Sequence, residues 1–187
     1  MSANKIKYGL KNVHYSVISI SPEGVVTYAT PVKIPGAVTL TANAKGDKVE
    51  FYADDFGYFV AETNQGYDGS LEVALLPDVF KKDVMGWKED LNGVLFEDST
   101  VIHKEVALLF EFNGDKNGTR HVFYNVSVGR PSVEGQTKGQ SIEVKTETIN
   151  ITASPASDTG YVKAKAEGGT AQYTAWYTDV YTFEPLA

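Results

Sequence analysis

The sequence predicts a mainly β fold: an antiparallel β-sandwich or partly closed barrel with one or two short flanking helices. Three observations carry this. Apolar residues alternate with a period of two along most of the chain, turn formers separate the alternating runs, and only two stretches show helical spacing. At 187 residues the chain is expected to form a single domain, 1–187. A chain of this size can bury roughly 70% of its unfolded surface, so it needs no covalent staple. It contains no cysteine, which excludes disulfides, thiolate metal sites and cysteine nucleophiles together.

The elements follow in chain order. Residues 1–12 read as an N-terminal arm with no apolar signal region, so a soluble chain made in the cytoplasm is expected. Strands are expected at Val13–Ile20, Val25–Ala29, Ala37–Asn43, Lys48–Tyr52, Tyr58–Glu62 and Ser70–Leu75. "PDVFKKDVMGW" starts at Pro77 and stops on Gly86, a two-turn helix burying Val79, Phe80 and Val84. In "EVALLFEF" Val106, Leu108, Phe110 and Phe112 share one fully apolar face, opposite Glu105, Ala107, Leu109 and Glu111. "NGDKNG" (Asn113–Gly118) then turns the chain into "TRHVFYNVSV". There Val122, Tyr124, Val126 and Val128 face one way, and Thr119, His121, Phe123, Asn125 and Ser127 the other. In "SIEVKTETINITA" the apolar set moves from Ile142 and Val144 to Ile149 and Ile151, which predicts a bulge near Thr146–Thr148. Pro131–Ser141 and Ser154–Gly160 read as loops. The C-terminal segment, 155–187, places Tyr173, Trp176, Tyr177 and Val180 at helical spacing, with a strand as the alternative.

Composition and motifs remove most function classes. With 24 acidic against 17 basic residues the net charge is −7, and a chain without clustered Lys and Arg repels a phosphate backbone. No apolar run approaches the roughly 20 residues that span a bilayer, so no membrane insertion is expected. His14, His103 and His121 are isolated, with no ligand spacing, and no nucleophile elbow or phosphate-binding loop is present. The neighbouring pairs Asp54-Asp55, Glu89-Asp90 and Glu97-Asp98 do not converge on a strand, where adjacent side chains point apart. Glu105 and Glu111 lie roughly 20 Å apart on an extended strand. All of these are expected to be solvated carboxylates. No catalytic residue, cofactor or metal is predicted.

One segment stands out. "GDKVEFYADDFGYF", within a projecting loop or hairpin at 44–68, holds four carboxylates and five aromatic rings. Five carboxylates against Lys48 give the span 47–62 a charge of −4. Acid plus surplus aromatic, without histidine or nucleophile, fits an interaction surface. Asp47, Glu50, Phe51, Tyr52, Asp54, Asp55, Phe56, Tyr58 and Phe59 are its candidate residues. The alternative is that these rings fill the domain's own core.

The stretches "YGLKNVHY", "PGAVTLTANAKGDKVEFYADD", "NQGYDGSLEVALLPDVFKKDVMG", "NGVLFED" and "ALLFEFNGDKNGTRHVFYNVSVGRPS" occur in an order that resembles the major tail (tail tube) proteins of long-tailed bacteriophages of Gram-positive hosts. The resemblance runs from about Ile6 to Ala153, and the last thirty residues fit it less well. It implies a structural subunit that closes into hexameric rings, stacked as a hollow tube for the genome. The implied partners are further copies of the chain, the tape measure protein, the tail terminator and the distal tail protein. DNA would pass through without specific binding. The implied location is the virion tail, assembled in the host cytoplasm. A luminal face should then be polar and not basic, and two strand faces qualify: Thr39, Thr41 and Asn43, or Thr119, His121, Asn125 and Ser127. The inner tube of a contractile tail, tailocin or secretion-type system would suit the same pattern. A carbohydrate-binding β-sandwich and, more remotely, an acid-dependent hydrolase are the readings from other classes.

Overall fold

Alternation becomes a nine-stranded antiparallel sheet that divides into two layers. The computed structural model describes residues 8–113, 118–135, 137 and 144–185. The first layer is built on β1 (Leu10–Ile20), β10 (Val106–Phe112) and β11 (Thr119–Val128). The short β2 (Val26–Tyr28) and β3 (Val32–Lys33) pair with β1, and β13 (Lys163–Glu167) pairs with β11. The second layer comprises β12 (Glu147–Ser154), β7 (Gly66–Val73) and β4 (Ala37–Lys45). The far end of β11, Asn125–Val128, pairs with β12, so one strand joins both layers, while β13 takes Thr119–Phe123. Among the described residues the remaining strands form two separate ribbons. These are β5 (Lys48–Ala53) with β6 (Phe56–Glu62), and β8 (Lys88–Glu89) with β9 (Leu95–Phe96).

The main core lies between the layers. Val13 and Tyr15 of β1, Leu108 and Phe110 of β10, Leu71 of β7 and Ile149 of β12 are all buried there. Helix α1 (Asp78–Asp83) closes one end, with Pro77 as its N-cap residue. Phe80 and Val84 are buried as the spacing predicted, and the Phe80 ring meets Tyr15 edge-on at 4.8 Å. Val79, expected inside, is half exposed, because a helix this short turns only one narrow stripe inward.

The other side of β10 is apolar and buried as well, contrary to expectation. Ala107 and Leu109, counted on the less apolar face, are fully buried in a second cluster with Val122, Tyr124, Trp176 and Val180. The C-terminal segment supplies its cover: β13, α2 (Ala171–Ala175) and the turn carrying Trp176. Thr170 caps α2 by accepting from the Tyr173 N–H, and the Trp176 indole donates to the His121 carbonyl at 3.2 Å. Glu111, expected to be solvated, is also buried. It pairs across the strands with Arg120 at 2.9 Å and accepts from Asn12 at 2.6 Å. Arg120 in turn donates to the Tyr173 carbonyl and lies over the Tyr173 and Tyr177 rings. Burial pushes the Glu111 carboxyl upward, but the Arg120 and Asn12 hydrogen bonds and nearby positive charge outweigh it. The net shift is below the usual range.

Two register features also differ from expectation. A bulge on β11 sets Val106 opposite Val126 but Leu108 opposite Phe123. The strand therefore changes parity: Phe123, Val126 and Val128 enter the main core, whereas Val122 and Tyr124 enter the second. Conversely, β12 pairs regularly with β7 from Glu147 to Ala153. The strand begins at Glu147, with Val144 exposed ahead of it, so the shift of apolar positions marks a strand start and not a bulge. Ile142, most of the Asn113–Gly118 turn and part of the Pro131–Ser141 loop fall outside the described residues.

Candidate assembly surfaces

The β5–β6 hairpin continues the β4–β7 ladder beyond its last pair, Lys45 with Gly66. Backbone bonds from Thr63 to Asp47 and from Gln65 to Lys45 carry the pairing across the junction. At the base only glycine fits position 66. Its φ is +100°, and a Cβ there would lie 1.9 Å from the Ala153 carbonyl oxygen. At the tip Ala53 pairs with Phe56, leaving Asp54 and Asp55 as a two-residue loop with φ of 52° and 60°. Two consecutive left-handed residues match the hairpin turn whose twist suits the flanking strands, and Asp tolerates that conformation better than most residues. Part of the acidity in this stretch is therefore turn chemistry.

Register sorts the other side chains onto two faces. Phe51 pairs with Phe59 and Val49 with Ala61, forming an apolar face. Lys48, Glu50, Val60 and Glu62 occupy the opposite face, with Lys48 and Glu50 in an ion pair. The Tyr52 hydroxyl donates to Glu50 at 2.7 Å, which places that ring on the polar side. None of the rings fills the core: Phe51, Tyr52 and Phe59 are more than half exposed, and Phe56 and Tyr58 reach 76%. Asp47 sits at the base, where its carboxylate accepts from the Gln65 side chain.

The second layer presents a polar outer face. Thr39, Thr41 and Asn43 of β4 stand opposite Glu72, Ser70 and Asp68 of β7, which stand opposite Thr148, Asn150 and Thr152 of β12. The alternate positions, Leu40, Leu71 and Ile149, turn inward. Cross-strand bonds knit the outer row: Thr152 donates to Asp68 at 2.8 Å and Thr146 to Glu72 at 2.6 Å. Those from Thr152 and then Lys45 hold the Asp68 carboxyl below its usual range, so it stays charged. Only the β4 third of this face is visible in the sequence, because β7 and β12 lie beside it in space and not along the chain. The second candidate face does not exist as one surface. The β11 bulge leaves His121 beside Phe110 of the main core, while Asn125 lines a crevice with Tyr28 and Ala156 on the opposite side.

Among the described residues no group of His, Asp and Glu could hold a metal ion, and no helix is long and apolar enough to cross a membrane. His14 stacks on Tyr177 at 4.3 Å, and His103 bonds the Val128 carbonyl at 3.0 Å.

The model of the phage tail tube protein family matches residues 2–186. The chain belongs to that family. It is a structural protein of the virion tail, a tube subunit and not an enzyme. A comparison with curated proteins finds no match. Among solved structures it is similar to the anti-feeding prophage cap (tube terminating cap), at 11% identity and a TM-score of 0.43, covering 89% of this chain and 97% of that one. It is also similar to a chain of the PVC sheath-tube complex, an extracellular contractile injection system in its extended state. That similarity is 13% identity at a TM-score of 0.43, covering 87% and 93%. Likenesses this distant add nothing to the family assignment.

Proposed function

We propose that this tail tube protein closes into hexameric rings that stack as the genome-conducting tube of a long-tailed phage of a Gram-positive host. The observation that carries the reading is the exposed apolar face of the β5–β6 hairpin. A two-stranded ribbon is marginal alone, and its rings leave water only against another surface. Burying Phe51 and Phe59 there would contribute roughly 1.5–3 kcal/mol each. In this reading Asp47, Glu50, Phe51, Tyr52, Asp54, Asp55, Phe56, Tyr58 and Phe59 form the contact between stacked copies. A ring needs a heterologous interface that closes, and axial growth needs a second one.

The outer face of β4, β7 and β12 suits the lumen. It offers hydroxyls, amides and two carboxylates around Thr39, Thr41 and Asn43, with Lys45 paired to Asp68 at 3.3 Å. Such a wall repels the phosphate backbone and leaves passing DNA free to slide. The tape measure protein would occupy the same channel before the genome, and the tail terminator and distal tail protein would meet the end rings. Assembly takes place in the host cytoplasm. Electron microscopy of concentrated protein, alone and with the tape measure protein, tests this. Sixfold rings or tubes are expected; a strict monomer under both conditions would count against it.

A further inference from the structure

Between the two layers, where β13 and β4 both end the sheet, runs an open groove of about 520 Å³. Phe110, Phe112 and Phe123 form its floor, Leu40 and Tyr67 one wall, and Lys163 the other rim. The Lys163 ammonium bonds the Tyr67 hydroxyl and lies 4.6 Å from that ring's centre, yet meets no carboxylate among the described residues. Lys165, on the same rim, is exposed beside Glu167. The groove thus combines an aromatic floor with a cationic rim. None of the hairpin's rings lines it, so the chain does not fill it with its own hairpin.

We propose that this groove receives the β5–β6 hairpin of a neighbouring copy, with Phe51 and Phe59 toward the aromatic floor and Asp54 and Asp55 against Lys163. The inference rests on the tube reading and names the receiving surface that reading leaves open. Complementarity argues for a second copy as the occupant. The hairpin is acidic and aromatic with one apolar face, and the groove is aromatic and basic. Each copy carries one of each on different parts of its surface, a head-to-tail contact that propagates along an axis. The carboxylates add register and partner choice, because a shifted hairpin would place them on the groove's apolar floor.

Two measurements test it. In tubes mixed from isotopically distinct copies, a zero-length carbodiimide should couple Asp54 or Asp55 of one copy to Lys163 of another. Intact tubes in which Lys163 couples only to carboxylates outside the hairpin, or to none, would overturn the groove while leaving the tube reading in place. Independently, Asp54→Asn with Asp55→Gly removes both charges but keeps a favourable turn, so the hairpin itself should persist. This variant and Lys163→Gln should each raise the concentration needed for assembly about tenfold and flatten its salt dependence. If either variant assembles at the unmodified threshold, the ion pairing is wrong. A chain that never leaves the monomer sinks both readings.

Discussion

Strand β10 and the β5–β6 hairpin read alike in sequence and end in opposite environments. Both alternate apolar residues and both carry glutamate. Yet β10 is buried on its two faces, whereas the hairpin exposes Val49, Phe51 and Phe59 on one face and Val60 on the other. The difference lies in what each strand is given to pack against. β10 has neighbours on both edges and two layers of cover, one of them from the distant C-terminal segment. The hairpin has only its own second strand. Apolar surface that a single chain leaves open points to a second chain, and in the tube reading proposed above that chain is a copy.

If the contrast holds, substitutions around β10 should destabilise the subunit without touching assembly chemistry. Trp176→Ala should remove the cover over Leu109 and cost about 3–5 kcal/mol in urea unfolding, as large-to-small core changes do. Arg120→Met should cost up to about 3 kcal/mol by leaving the buried Glu111 carboxylate with only Lys11, 3.6 Å away, and the Asn12 amide as partners. The partner change Glu111→Gln should cost less, because the remaining Arg120 still bonds the Tyr173 carbonyl. Either unfolding scan matching the unmodified protein would show that the C-terminal cover is not part of the stable fold.

The acid limb sharpens the same point. The Glu111 carboxyl is held below its ordinary range in the folded chain, so the unfolded chain binds a proton there first as pH falls. Its contribution is complete above the ordinary carboxylate range and disappears as pH drops through the lowered folded value. Glu111→Gln should therefore flatten the acid side of the stability–pH curve; an unchanged slope would argue against the buried pair. The smallest effect on folding belongs to the hairpin. Phe51→Ser with Phe59→Ser should move the unfolding midpoint by less than about 0.5 kcal/mol, since both rings are exposed, yet abolish tubes. A large loss of stability would place those rings in the subunit's own core.

Much of this was legible in sequence for a physical reason. Period-two alternation reports which residues share a strand face, and it located β1, β4, β7, β10 and β11 to within a few residues. It also singled out the hairpin, where acid and aromatic residues cluster. It does not report a bulge that leaves the pattern unbroken: Val122, Tyr124, Val126 and Val128 alternate in sequence and divide between two cores in space. Nor does it reveal a partner far along the chain, so Ala107 and Leu109 looked half-buried until Trp176 covered them. Strand β13, "KAKAE", offered only alanines as its apolar face and went unnoticed, and with it the basic rim of the groove. The polar face of the second layer was visible only as its β4 third, since neighbours in a sheet are not neighbours in sequence.

The central claim is that the hairpin is water-exposed in the subunit and covered in the assembly. Amide hydrogen exchange across Lys48–Glu62, compared between monomer and tube, tests it most directly. Fast exchange in the monomer with strong protection in the tube is the expected result, alongside unchanged protection in β10. Equal exchange of the hairpin in both states would contradict the account.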